Sequence, residues 1–231
     1  MTFREDYLHP PGRGAVFIEH EHGHPRVDES AYIAPNAVLC GDVTVGSHSR
    51  VLFGAVLTAE GGPVEVGTNC VIMEHAVLRG SRRHPVRLGD HVLVGPNAHL
   101  SGCVIDGEAR IATGAMIFNG ARLGIGAVVE FGALVYVNAV VPPGMTVPMG
   151  WFAGGDPVEL IPPAERERIA AVMGPLDFAG TVFGVAGERG ESVTSRIAER
   201  YARSLALHRY DNEVALERIA WPREQVTPGP G

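Results

Sequence analysis

One aliphatic residue in every six runs through most of this chain: Ile33, Leu39, Val45, Val51 and Leu57, then, after a skip, Val66, Ile72 and Leu78. The series resumes at Leu88, Val94 and Leu100. After a one-residue shortfall it runs from Ile105 through Ile111, Ile117, Leu123, Val129, Val135 and Val141 to Val147. Four places after the aliphatic residue the side chain is usually small, as at Ala37, Ser49, Ala55, Cys70, Ala98 and Ala115. Such a period fits neither the 3.6-residue repeat of a helix nor the two-residue alternation of a long strand. It is the hexapeptide signature of a parallel β-helix, in which three short faces make a turn of about eighteen residues. The aliphatic side chain points inward on each face and the small one fits each corner. A single turn cannot bury its inner face; stacking does so.

The fold class is therefore an all-β solenoid with appended helices. Residues 1–26 read as a lead-in, with a strand over Ala15–Glu19. Residues 27–153 read as the β-helix, and residues 154–231 as a C-terminal helical extension ending in a loose tail. Helices are expected over residues 164–173 and 192–208, the second with an apolar stripe of Ile197, Tyr201 and Leu205. A loop with Pro175 and several glycines should join them. Two insertions, Thr58–Glu65 and Arg79–Arg87, break the count and should project as loops, the usual carriers of function on a rigid scaffold. The second contains the basic run Arg82-Arg83-His84, either a solvated tip or an anion flap.

Composition excludes several roles. Net charge is −7 without a basic block, which argues against nucleic acid. The chain has no lysine, so neither a Schiff-base amine nor a phosphate-loop lysine is available. Cys40, Cys70 and Cys103 are dispersed and odd in number; they read as reduced small core residues, and with no apolar leader or membrane span they point to the cytoplasm.

Several strings resemble γ-class carbonic anhydrases. They are Tyr32-Ile33-Ala34-Pro35-Asn36-Ala37-Val38 with Gly41-Asp42-Val43-Thr44-Val45-Gly46, then Val51-Leu52-Phe53-Gly54-Ala55-Val56-Leu57. Val94-Gly95-Pro96-Asn97-Ala98-His99-Leu100-Ser101-Gly102-Cys103, Val141-Pro142-Pro143-Gly144 and Ala153-Gly154-Gly155-Asp156-Pro157-Val158 continue the likeness. It spans residues 25–163. The resemblance implies a left-handed β-helix, a homotrimer and an active site between subunits, where three histidines hold zinc. By that likeness the ligand positions are Arg79, Pro96 and Ser101 in this chain. None is a histidine: proline has no side-chain donor atom and arginine stays protonated. A hydration zinc needs three protein ligands and an open position. No metal at those positions, and no cofactor, is therefore expected. The resemblance also places Thr58-Ala59-Glu60 and Met73-Glu74 where the family keeps its Arg-Gly-Asp and Gln-Asp strings.

Other histidines are available. In the trimer that the resemblance implies, His75, His84, His91 and His99 would come near the family's pocket and could offer a different metal site, for which the sequence carries no spacing signal. His20, His22 and His24 alternate and would share one face of a strand, for which an exposed polar edge is the preferred reading.

Three functions follow. In the first, the trimer is inactive in CO2 hydration and its intersubunit cleft binds a small anion. Arg79, His75, Pro96 and Thr58 would line that cleft, with Arg79 either holding the anion or pairing with Glu74 or Glu60 across the subunit boundary. In the second, by analogy with hexapeptide acyltransferases, the cleft processes an acyl thioester. His99 or His75 would be the base, Glu74 or Glu60 its orienting group, and Ser101 a nucleophile if a histidine reaches it. In the third, the protein is a structural subunit of a larger assembly.

Overall fold

The computed structural model describes residues 14–185, 192–215 and 218–219. Among the described residues three sheets wind around one another, two of seven parallel strands and one of ten whose outermost pairing at each end is antiparallel. This is a left-handed parallel β-helix, and the hexapeptide ruler sets its pitch. Ile33 is in register with Val51, Val51 with Ile72, and Ile72 with Val94, so each aliphatic residue sits directly above the next. Leu39, Leu57, Leu78, Leu100, Ile117 and Val135 form the equivalent stack on the ten-stranded face, all fully buried. Most strands are two or three residues long and contribute one inward side chain each, which is why the core is a set of narrow aliphatic ladders.

Corners are made by backbone in the left-handed region. Asn36, Asn69, Asn97 and Asn138 adopt it, with φ between +56° and +67°, as do His75 and His91. Asparagine tolerates this conformation better than most residues with a Cβ. One corner forms a column in which each turn bonds to the next: His75 N–H donates to Phe53 O, Asn97 to Glu74, Gly114 to Pro96, Gly132 to Thr113 and Gly150 to Phe131.

The two insertions do not leave the solenoid as free loops. Each begins by lengthening its strand on the ten-stranded face, giving Val56–Glu60 and Val77–Ser81, which stay paired through Ser81 opposite Glu60. Backbone pairing thus holds both insertions against the scaffold.

The lead-in strand, Val16–Glu19, adds to the ten-stranded face beside Val38–Cys40. The expected continuation through His24 is not a strand. Glu21 and His22 take φ of +45° and +69°, and His20 and Gly23 exchange backbone hydrogen bonds across them. A tight reversal replaces the alternation, so His20 is buried whereas His22 is exposed.

Among the described residues three α-helices follow the solenoid: α1 (Arg166–Met173), α2 (Phe178–Phe183) and α3 (Val193–Leu205). α2 lies where a loop was expected. Asp177 caps its N-terminus by accepting from Gly180 N, and Gly184 ends it at φ +65°. These are stop and start signals in a segment too short and glycine-rich to show periodicity. Phe178 of α2 stacks on Tyr136 and meets Phe118 edge-on, so the extension lies on the ten-stranded face. A further strand, Asn212–Glu213, pairs antiparallel with Val16–Glu19. Beyond it Val214 and Ile219 join the core, and Ile219 O accepts from Val27 N. The chain therefore returns along its own solenoid and covers the first turn, the end a repeat array must shield. The expected tail, 222–231, lies outside the described residues.

Replacing Leu100 by alanine should remove one rung of a dry ladder and lower unfolding free energy by about 2–5 kcal/mol. Arg110→Gln, at an exposed outward position, should stay within about 0.5 kcal/mol. Chemical denaturation of both variants against wild type checks the difference.

Candidate functional site

Strand alternation decides what the ten-stranded face displays. In Val38–Cys40, Leu39 points inward, so Cys40 points outward; in the next strands Thr58, Arg79 and Ser101 occupy the same row. Cys40, Thr58, Arg79 and Ser101 are thus one column across four adjacent strands. All three cysteines are free and buried, as expected, but Cys70 and Cys103 pack in the main core cluster whereas Cys40 stands on the outer face of its strand. It is 5% exposed because the C-terminal segment covers it from outside. The signal was present: Cys40 directly follows an inward aliphatic residue, which is the outward phase of the repeat.

A cavity of about 460 Å³ lies between this face and helices α2 and α3. Glu60, Arg79, His99 and Ser101 form its floor, and Phe183 and Tyr201 belong to its roof. Arg79 is held at two points. Its guanidinium is 3.6 Å from Glu60 Oε1 and 5.1 Å from the centre of the Tyr201 ring. Thr58 Oγ1 donates to Glu60 Oε1 at 2.9 Å and so fixes the carboxylate. The Arg79 ion pair lies within one chain and uses Glu60 rather than Glu74. Arg82, Arg83 and Arg200 also line the cavity. Arg82 reaches Glu21 at 3.4 Å. Among the described residues neither Arg83 nor Arg200 has an ion-pair partner.

The remaining sequence candidates lie elsewhere. Glu74, His75 and Pro96 are on the corner column beside Phe53, away from the cavity. His91 is at another corner, with Nε2 3.4 Å from Asn69 Nδ2.

Known proteins can now be compared with this geometry. No family model matches the chain. Gamma carbonic anhydrase 3, mitochondrial, from Arabidopsis thaliana is 37% identical over 97 residues, which is 39% of this chain and 38% of that protein. The carbonic anhydrase of Geobacillus kaustophilus is 29% identical over 91 residues, 39% of this chain and 50% of that one. The solenoid is γ-carbonic anhydrase-like. The chain nevertheless spans only 38% and 50% of the length of those two relatives. In three dimensions a Bacillus cereus protein provisionally described as an acetyltransferase superposes with a TM-score of 0.55 at 25% identity, over 83% of this chain and 99% of that one.

Within this γ-carbonic anhydrase-like solenoid, the positions that the resemblance gives to zinc ligands do not fit the metal. Arg79 offers no lone pair and is committed to Glu60 and Tyr201. Pro96 has no side-chain donor atom and sits at the corner. Ser101 is in register with Arg79 and supplies only a neutral hydroxyl. The acyl-transfer arrangement is also incomplete, because among the described residues no side-chain hydrogen bond joins His99 to Ser101.

His99 is half-buried on the cavity floor. Burial, and then the positive charge of Arg79, push its pKa below 6.5. The folded state prefers neutral His99, so this group destabilises the fold as pH falls below the unfolded value near 6.5. Above that value its effect vanishes. Following the imidazole by NMR, Arg79→Ala should raise the His99 pKa without restoring 6.5, because burial remains. An unchanged value in that variant would separate His99 from the Arg79 charge.

Proposed function

We propose that this γ-carbonic anhydrase-like protein does not hydrate CO2 with zinc at the ancestral positions, and that its cavity binds a small anionic ligand. The arginine composition of the cavity carries this reading. Among the described residues, four arginines line it against two carboxylates, Glu60 and Glu21, and Arg83 and Arg200 have no ion-pair partner. Planar guanidinium groups suit carboxylate or phosphate through paired N–H donors. Arg79 supplies a fixed charge on the floor, with Tyr201 limiting where it can turn. The resemblance places the family's site between subunits, whereas the cavity walls named above all come from one chain.

Trimer formation is a second part of the proposal. Phe53, Phe131 and Met149, 49–62% exposed, share the corner column with Glu74 and Pro96. Exposed apolar side chains of this size along one corner, Phe131 and Met149 on adjacent turns and Phe53 further along, suit a contact between copies. An acyl-thioester reaction in the same cavity has the Bacillus cereus neighbour in its favour, and that likeness concerns fold.

Titration of full-length protein with bicarbonate, acetate, phosphate and acetyl-CoA should find at least one ligand whose affinity falls at least about tenfold in Arg79→Ala, the loss of a charged hydrogen bond. Zinc-supplemented protein should show no CO2 hydration above the uncatalysed rate. Undiminished affinity in Arg79→Ala would remove the anion reading, and a clear hydration rate would remove the inactive one.

A further inference from the structure

The C-terminal segment is fastened to the solenoid at a point that the cavity does not explain. After α3, a 3-10 turn over Ala206–Tyr210 leads into Asn212–Glu213, whose pairing sets Asn212 opposite Glu19. Asp211 consequently lies against His20, and His208 lies over both. Asp211 Oδ1 is 2.7 Å from His20 Nδ1, and Oδ2 is 2.7 Å from His208 Nδ1. The two imidazoles stack with centroids 4.2 Å apart and planes 16° apart. Cys40 enters from the solenoid side, with Sγ 4.0 Å from Asp211 Oδ2. Donor atoms of His20, Cys40, His208 and Asp211 all lie within 4.8 Å of one another.

We propose that these four residues bind one divalent transition-metal ion of the zinc class, in a closed site that clamps the C-terminal segment onto the solenoid. Cys-His-His-Asp is a tetrahedral donor set for zinc. Ligand atoms around such an ion stand roughly 3.3–3.6 Å apart, a range that the observed spacings of 2.7 to 4.8 Å bracket. Small rotations of the two imidazoles would open the centre. Charge also balances: a thiolate and a carboxylate neutralise a divalent ion, so the half-buried site carries no net charge. On binding, the Cys40 thiol proton leaves and each imidazole keeps one proton, on Nε2.

Two further observations single out a metal rather than a hydrogen-bonded latch. His208 Nε2 is 3.2 Å from Glu60 Oε2, the carboxylate–histidine arrangement that orients metal-bound imidazoles. A latch of Asp211 between two histidines has no use for a thiol, yet Cys40 occupies the outward row at that point. Its Sγ lies 4.0 Å from the Asp211 carboxylate, an unfavourable neighbour for a thiolate unless a cation stands between them. A bound cation reverses that balance and makes it a thiolate ligand.

The site is separate from the positions the resemblance assigns to zinc. Its solenoid ligands come from the lead-in strand end and Val38–Cys40, and its other two ligands from the C-terminal segment. Four protein ligands leave no open position, which suits a structural ion. Its consequence is mechanical: the ion ties down the end of α3, and with it Tyr201 and Arg200 over the cavity.

Full-length protein stripped with a chelator and titrated with Co2+ should take up one equivalent per chain. It should develop visible bands of tetrahedral cobalt and a near-ultraviolet thiolate-to-metal band, both displaced by Zn2+. In Cys40→Ser the thiolate band should vanish, and Glu60→Gln should weaken Zn2+ binding about 10–100-fold. Zn2+ should also raise the melting temperature of wild type and slow amide exchange in residues 193–213. Absence of stoichiometric Co2+ uptake by the folded wild type, or a spectrum without a thiolate band, would overturn the proposal. So would a spectrum unchanged in Cys40→Ser. Arg79→Ala should keep full uptake, and loss there would place the ion elsewhere, so this site and the anion reading can fail separately.

Discussion

Parallel pairing between successive turns, kept in register by the stacked aliphatic residues, is the constraint on which the rest of the molecule depends. A slip of one residue would turn every inward side chain outward, so the ladders of Leu39, Leu57, Leu78 and Leu100 lock the register. With register locked, every outward residue acquires fixed neighbours one turn above and below. Cys40, Thr58, Arg79 and Ser101 are far apart in sequence and contiguous in space for this reason alone.

The rigidity of that column lets a few added residues build a site. Glu60 stands on a strand extension that exists because both insertions stay paired. It touches Arg79 on one side and His208 on the other, with Thr58 fixing it from below. One carboxylate thereby connects the cavity floor to the clamp on the C-terminal segment. Helices α2 and α3 roof the floor with aromatic side chains, and the segment after α3 continues to the first turn, where Val214 and Ile219 close the core. Cavity, clamp and cap are consecutive parts of one return path along the solenoid.

Much of this was legible before the structure. The β-helix followed from the six-residue period, and the strand near Val16 and helices near 166 and 193 from pattern and capping residues. Cys70 and Cys103 were placed correctly as small core residues, because they fall on inward or corner phases of the repeat. Cys40 is buried too, but from the outward phase of the repeat, against Asp211 of the C-terminal segment. The alternation of His20, His22 and His24 suggested one strand face, but left-handed backbone at Glu21 and His22 turned the chain back and buried His20 alone. α2 had no legible periodicity, being six residues long among glycines.

By itself the sequence determined the solenoid, its register and the row on which each outward side chain would stand. These are consequences of local spacing, repeated many times. Only the tertiary structure decided which rows matter, because that depends on what covers them. Glu74, His75 and Pro96 fell on a corner away from the cavity, whereas Glu60, Arg79, His99 and Ser101 fell under α2 and α3. Asp211 and His208 met His20 and Cys40 because an antiparallel pair of strands nearly two hundred residues apart brought them together. No local period encodes a contact of that range; it arises when the C-terminal segment buries its apolar residues along the solenoid and at its open first turn.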